Sequence, residues 1–179
     1  MKKFIKRLQP IEYIIYTAII ATVIAMDQIT KALAVKFLMP IDTQPIIEGV
    51  LHLTYAENEG AAFGILANHR WVFMSVSIAA IAIFLFLLYA GVLRGNLLYT
   101  SSIALMIAGG IGNMIDRIAL GYVVDFIDFR LIDFAIFNGA DSFVCIGAAL
   151  LLFSVVMDVV KEAKSSKDTK DGGTQDTND

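Results

Sequence analysis

The feature that most restricts the fold of this chain is a set of four long apolar segments within 179 residues. Each approaches the roughly 20 apolar residues that a helix needs to cross a bilayer. The predicted spans are Ile11–Met26, which can extend as a helix towards Lys31, and Trp71–Leu93, Leu97–Ile115 and Ala140–Val160. Hydrophobic residues make up 58% of the chain, whereas soluble domains contain about 45–50%. We therefore expect an all-α integral membrane protein with four transmembrane helices.

Basic residues lie before the first span, between the second and third, and after the fourth. Because such residues favour the cytoplasmic side, an even number of spans predicts that both termini are cytoplasmic. The residues concerned are Lys2, Lys3, Lys6, Arg7, Arg94, Lys161, Lys164 and Lys167. The alternative, a cleaved secretory signal peptide at the N-terminus, is less favoured because three more spans follow.

The connection after the first span, residues 39–70, is too long for a plain turn. Ile46-Ile47 and Val50–Tyr55 have the β-branched and aromatic content of short strands, so we expect a small sheet on the outer membrane surface. Residues 1–163 are predicted to form one membrane domain. The polar tail, residues 164–179, has little to bury and is predicted to be a disordered cytoplasmic segment.

This topology gathers the unusual polar residues at the outer end of the bundle, since the cytoplasmic hairpin Ala90–Asn96 holds only two strongly polar side chains. The residues gathered are Asp27, Asn58, Asn113, Asp116, Asp125, Asn138 and Asp141. Buried or membrane-adjacent carboxylates are costly and indicate function.

Asp125 and Asp141 are the strongest candidates, because two neighbouring carboxyl groups can share one proton and activate water, as in aspartyl hydrolases. Asp128 and Asp133 lie in the same connection and remain alternatives at this stage. A role limited to capping the fourth helix is another alternative for Asn138 or Asp141.

Three further groups of polar residues accompany this pair. Asn113, Asp116 and Arg117 share one helix face by their spacing, and Arg117 is expected to pair with Asp116 or another carboxylate. Asp27 and Lys31 have the favourable i,i+4 order, either as a simple boundary ion pair or as support for the site. Asn58 and Gly60 open a glycine-containing loop, residues 58–64, which is either a turn or a substrate-facing segment.

Other chemistries lack their signatures. The histidines, His52 and His69, are isolated, and the single cysteine, Cys145, permits no intramolecular disulfide and no cysteine cluster for zinc. We expect no metal, no cofactor and no nucleic-acid partner, and we predict that Cys145 is a buried structural thiol.

Taken together, five sequence blocks resemble the lipoprotein signal peptidases (signal peptidase II) of bacteria. They are Asp27-Gln28-Ile29-Thr30-Lys31, residues 58–64, residues 110–117, Val123-Val124-Asp125-Phe126 and residues 137–142. One mild departure is Gly139, where the family more often has a branched apolar residue; we expect it to loosen the approach to Asp141.

The resemblance implies a membrane aspartyl endopeptidase that cleaves signal peptides from diacylglyceryl-modified prolipoproteins just before the lipidated cysteine. It implies catalysis by Asp125 and Asp141. The substrate-binding residues would be Asn58, Gly60, Asn113, Arg117 and Asn138, and the structural polar support would be Asp27, Lys31 and Asp116. The implied partners are prolipoproteins, membrane lipids and the inhibitor globomycin, for a monomer in the bacterial inner membrane. A proton-coupled transporter and a non-enzymatic assembly protein are the alternative classes.

Overall fold

The computed structural model describes residues 8–60, 70–93 and 95–172. The elements in chain order are α1 (Pro10–Phe37), β1 (Thr43–Ile47), β2 (Leu51–Asn58), α2 (Arg70–Tyr89), α3 (Leu97–Ala119), β3 (Val123–Asp128) and α4 (Gly139–Gly172), with one 3₁₀ turn at Arg130–Ile132. The expectation of a mostly helical membrane protein with a small sheet is confirmed. The basic N-terminal residues and Arg94 lie outside the described part.

Three of the described helices are long and apolar enough to cross a bilayer: Pro10–Phe37, Leu97–Ala119 and the stretch Gly139–Ser165 of α4. The second predicted span forms α2, but its apolar stretch, Met74–Tyr89, is shorter than the usual spanning length. The fourth crossing therefore stays a prediction. In α4 only 11% of the most apolar window is buried inside the protein, so its remaining apolar surface requires a nonpolar solvent such as lipid.

The core of the bundle lies where α1, α2 and α3 meet. Its buried side chains are Ile20, Val23, Leu88, Ile103, Ala104, Ile107 and Ala108. The first helix includes the predicted extension towards Lys31 and continues beyond it to Phe37, because Asp27, Lys31 and Ala34 turn inwards while Ile29 and Leu33 face outwards. A helix periodicity therefore persists through the polar residues.

Glycines allow α3 and α4 to approach closely. A side chain at Gly109 would collide with the backbone of Ala140 and with Val144, and one at Gly147 would meet the Ser102 carbonyl at 2.7 Å. This packing of small residues is typical of membrane helices. It fixes the start of α4 against α3, where several of the predicted site residues lie.

The sheet is antiparallel with the order β1-β2-β3. The two strands expected between residues 39 and 70 are present, but the third strand, β3, was not predicted. Val123 and Val124 are each 1% exposed, and Val124 packs with Ala34 and Leu38 of α1. The β-branched pair thus anchors the sheet to the helical bundle.

The last helix differs from expectation in two respects. It continues past Lys164, where disorder was predicted to begin, to Gly172, since extending an existing helix is much easier than starting one. Residues from 173 onward lie outside the described part. The prediction of a buried Cys145 is wrong: the thiol is exposed, because the neighbouring positions Val144 and Gly147 are the ones that face α3.

Candidate active site

Asp125 lies in the middle of β3 and is almost fully buried, with 2% of its surface exposed. Both carboxylate oxygens accept hydrogen bonds from asparagine amides. Asn58 Nδ2 donates to Oδ2 at 2.9 Å and Asn138 Nδ2 donates to Oδ1 at 2.7 Å. Neutral donors solvate this carboxyl group without supplying a fixed positive charge.

Asp141 lies in the first turn of α4. Asn113 Nδ2 of α3 donates to its Oδ1 at 2.7 Å, and the backbone N–H of Asn138 donates to its Oδ2 at 3.3 Å. The backbone N–H of Asp141 donates to Asn138 Oδ1 at 2.9 Å. This reciprocal pair is the hydrogen-bond pattern of a helix N-terminal capping box.

Asn138 joins the two aspartates. Its side-chain NH₂ reaches Asp125 and also Asn113 Oδ1, at 3.0 Å, while its backbone N–H reaches Asp141. Capping, one of the two alternatives for this residue, is present, but it does not account for the bonds to Asp125 and Asn113. One fully buried residue therefore holds a carboxylate from the sheet through its side chain and a carboxylate from the bundle through its backbone N–H.

Burial raises the pKa of Asp125 to about 6; the hydrogen bond from Asn58 opposes this rise, and the charge of Asp141 adds to it. A carboxyl group with such a pKa can keep its proton in mildly acidic to near-neutral conditions. The arrangement can therefore hold one protonated and one ionised carboxyl group side by side.

A second polar cluster lies directly behind these groups. Lys31 Nζ contacts Asp27 Oδ2 at 2.9 Å, Asp116 Oδ2 at 3.0 Å and Asn113 Oδ1 at 2.9 Å. The expected i,i+4 pair of Asp27 and Lys31 is therefore present, with Asp116 as an additional partner. Sequence reasoning gave no role to Gln28, whose amide donates to Asp116 at 3.0 Å and to the Gly112 carbonyl at 3.2 Å.

Arg117 was expected to pair with Asp116 or another nearby carboxylate, and it interacts electrostatically with Asp141, Asp125 and Asp116. Its guanidinium donates hydrogen bonds to the Gly60 carbonyl at 3.3 Å and to the Asn113 carbonyl at 3.4 Å. The backbone N–H of Gly60 donates to Asn58 Oδ1 at 3.1 Å. Arg117 and Gly60 thus border the aspartate pair, while residues 61–64 of the predicted loop lie outside the described part.

The competing acids lie elsewhere. Asp128 is three residues from Asp125 on the same strand, so its side chain points to the opposite face of the sheet, where Thr54 and Arg130 donate to it at 2.7 and 2.9 Å. Although burial opposes them, these donors hold the pKa of Asp128 below its usual value. Asp133 is exposed in a left-handed turn. Neither of these acids shares the amide network of Asp125.

Apolar helices with a pair of amide-bound aspartates at one end, one of them buried, fit the class of membrane-embedded aspartic hydrolases. The comparisons with known proteins agree. The family model described as Signal peptidase (SPase) II matches residues 19–157, so this chain belongs to the signal peptidase II family, aspartic-type peptidases that cleave signal peptides from prolipoproteins.

Curated relatives give the same family, and solved bacterial membrane enzymes share the fold. The chain is 46% identical to the lipoprotein signal peptidase of Caldanaerobacter subterraneus subsp. tengcongensis over 77% of this chain and 93% of the relative. It is 42% identical to that of Clostridioides difficile over 79% and 95%. A solved bacterial membrane enzyme structure, 34% identical, superposes with a TM-score of 0.74 over 80% of this chain and 88% of the other. A second, also 34% identical, gives 0.72 over 80% and 93%.

Proposed function

We propose that Asp125 and Asp141 form the catalytic dyad of this signal peptidase, and that the scissile bond lies just before a cysteine that carries diacylglycerol. The observation that carries the proposal is the position of Asn138, which contacts both carboxylates. The side-chain NH₂ of this one residue holds Asp125 and its backbone N–H holds Asp141, so the two acids are kept close together.

In the proposed mechanism Asp125 holds the shared proton at rest, which its raised pKa supports. Asp141, which accepts two N–H hydrogen bonds, takes a proton from a water molecule that attacks the amide carbonyl. Asp125 then donates its proton to the departing amine. Burial of Asp125 strengthens its interactions, since the local dielectric is low.

The surrounding polar groups would bind the substrate backbone. Asn58, Gly60 and Arg117 lie beside Asp125, and they offer amide, carbonyl and guanidinium groups to an extended peptide. Asn113 and Asn138 complete this set from the side of α3 and α4. The inhibitor globomycin would occupy the same position and should block activity.

For the membrane arrangement we propose four crossings with both termini in the cytoplasm and the dyad at the extracytoplasmic face of the bacterial inner membrane. Helix α2 would cross with its short apolar stretch by local thinning of the bilayer or by its polar flanks reaching the interface. We propose that the enzyme acts as a monomer, because one chain contributes every group of the dyad and its amide network.

Two rival functions fit less well. A proton-coupled transporter would place its carboxylates near the middle of the membrane, whereas Asp125 lies on a strand outside the helices and Asp141 in the first turn of α4. A non-enzymatic assembly protein would tolerate isosteric changes at single carboxylates, which the experiment below addresses.

The test is cleavage of a purified diacylglyceryl-modified prolipoprotein by the full-length protein in detergent. Asp125→Asn and Asp141→Asn should each lower turnover at least about 1,000-fold, because the dyad acts as one unit. Product release is followed by gel shift or mass spectrometry, and folding is checked by thermal unfolding of each variant.

The matched control is Asp128→Asn, which changes a buried acid on the same strand but on the opposite face. It should keep near-normal turnover. If either dyad variant retained near-normal activity while folded, or if Asp128→Asn alone were inactive, the assignment of the dyad would be wrong.

A further inference from the structure

We propose that Lys31, Asp27 and Asp116 form a positioning cluster that sets the distance between the two catalytic backbones. The inference rests on the proposed function of Asp125 and Asp141. It gives the cluster a role in the reaction in addition to support of the fold. The argument for this role uses three sets of contacts, which are linked by the ammonium group of Lys31.

The first set connects α1 to the residue before Asp141. Asp27 Oδ1 accepts a hydrogen bond from the backbone N–H of Ala140 at 2.9 Å. Ala140 has no exposed surface, and its N–H lies in the first turn of α4, where the helix itself offers no acceptor. The Asp27 carboxylate therefore fixes the backbone from which Asp141 projects.

The second set repeats this arrangement on the sheet. Asp116 Oδ2 of α3 accepts a hydrogen bond from the backbone N–H of Val124 at 3.2 Å. Val124 directly precedes Asp125 and is buried against α1. Each acid of the cluster thus holds the backbone N–H of the residue that immediately precedes one catalytic aspartate.

The ammonium of Lys31 links these two contacts. It has three N–H donors and three partners at 2.9–3.0 Å: Asp27 Oδ2, Asp116 Oδ2 and Asn113 Oδ1. Lys31 is 3% exposed. Its N–H donors hold two buried carboxylates close together, with their other oxygens or lone pairs turned towards the backbone N–H groups.

The third partner helps to fix the orientation of an amide. Because Lys31 can only donate, Asn113 turns its oxygen towards Lys31 and its NH₂ group towards Asp141 Oδ1, at 2.7 Å. The NH₂ group of Asn138 donates to the same oxygen, so Lys31 and Asn138 together set this orientation. Through Asn113 the cluster contacts Asp141 without touching substrate itself, which makes Lys31 a positioning residue.

The experiment compares Lys31→Met with the unchanged protein in the prolipoprotein cleavage assay. Loss of the ammonium should lower kcat about 100-fold and change KM less than threefold, because the cluster holds the catalytic groups and does not contact substrate. Lys31→Arg should restore little, since a planar guanidinium cannot reproduce three converging donors. The control Arg130→Met removes a cation from the Asp128 pair and should leave kcat unchanged.

Two readouts separate positioning from simple support of the fold. In a double-mutant cycle, the variant that combines Lys31→Met with Asn113→Ala should lose less kcat than the product of the two single losses. The reason is that Lys31 acts partly through Asn113. The pH dependence should also change. Asp125 faces Asp141 from α4 and the charge of Lys31 from α1, with Asp27, Asp116 and Arg117 close by, so loss of the cation should raise the pKa of Asp125 and move its titration to higher pH.

Three results would overturn the proposal: a folded Lys31→Met protein with kcat within threefold of normal, a loss confined to KM, or fully multiplicative losses in the cycle. Should Lys31→Met fail to fold, Asp116→Asn takes its place. That variant keeps the pair of Lys31 and Asp27, and normal kcat in it would equally contradict the inference. Active Asp125→Asn protein would instead refute the proposed function, so the two failures are distinguishable.

Discussion

Two pairs of aspartates lie at the same end of this molecule, and their surroundings differ in one respect. Asp27 and Asp116 share the ammonium of Lys31, whereas Asp125 and Asp141 share the neutral amide and backbone N–H of Asn138. A salt bridge to an ammonium fixes the position of its carboxylate partners. An amide stabilises a carboxylate but allows it to take up a proton.

This difference supports the proposal that the second pair performs the chemistry. Each carboxylate of the first pair anchors a backbone N–H group. In the second pair the pKa of Asp125 is raised, so this amide-bound carboxyl group can keep its proton. Burial alone does not separate Asp27 from Asp125, which are 1% and 2% exposed.

Among substitutions in the amide network around Asp125 and Asp141, Asn138→Ala should have the largest effect on activity. The change removes the side-chain donor to Asp125 and Asn113 but keeps the backbone N–H that donates to Asp141, so kcat/KM should fall about 100-fold or more. It also removes a helix cap, which should lower the free energy of unfolding by about 1 kcal/mol. Cleavage kinetics and thermal unfolding in detergent measure the two effects.

Asn96→Ala is the matched control. Asn96 caps α3 by accepting hydrogen bonds from the backbone N–H groups of Leu98 and Tyr99, at the end of the bundle away from the dyad. The Asn96→Ala variant should lose about as much unfolding free energy as Asn138→Ala and should keep its cleavage activity. Equal activity losses in the two variants would mean that Asn138 acts only as a cap.

A smaller effect is expected from a substitution that places an extra methyl group against Asp27, a member of the first pair. In Gly112→Ala the new Cβ would lie 2.5 Å from Asp27 Oδ2, so the carboxylate must move away from Lys31 and Ala140. We expect a loss of about 1–3 kcal/mol in unfolding free energy and an approximately tenfold lower kcat.

The comparison variant is Gly139→Ala, whose Cβ would lie 3.6 Å from Asp27 Oδ1, an ordinary contact. Its stability should stay within about 0.5 kcal/mol of normal. Similar losses at both glycines would show that the position of Asp27 does not matter. The expectation that Gly139 loosens the approach to Asp141 stays a prediction, and the activity of this variant tests it.

The smallest expected effect is a shift of a pH profile. Asn58 donates to ionised Asp125 and so lowers its pKa. In Asn58→Leu the pKa of Asp125 should therefore rise, by roughly half a unit to one unit. If Asp125 must be protonated, activity is lost as pH rises through this pKa, so the alkaline limb of kcat/KM should move to higher pH.

The limb that moves identifies the role of Asp125. Were Asp125 the general base, the acidic limb would shift instead, because activity would then appear only above its pKa. Glu57→Gln is the control on the neighbouring exposed position of β2, and it should leave both limbs in place.

Much of the helical frame and two of the three strands were predictable from the sequence, but the ends of the helices and the third strand were not. Helix α1 was predicted to span Ile11–Met26 with an extension towards Lys31, and it continues to Phe37, because inward-facing Asp27 and Lys31 satisfy each other and need no water. β3 was missed because Val123-Val124-Asp125-Phe126 was interpreted as a site motif, although its β-branched residues also favour a strand.

The sequence predicted which polar residues gather at this end of the molecule. It did not predict which of them contact each other. Sequence spacing placed Asn113, Asp116 and Arg117 on one helix face, yet their partners come from α1 and from residue 60, far away in the chain. The partner of each charge depends on how the helices pack, as the unexpected pair of Asp116 and Lys31 illustrates. The single exposed thiol, Cys145, was misplaced for the same reason.

The two acids proposed to react belong to different structural units, one carried by a short strand and the other by a long helix. Neither unit alone contains the pair, so a chain whose sheet is not packed against the bundle has both residues but no dyad. Activity of this enzyme would therefore report that strand and helix have come together.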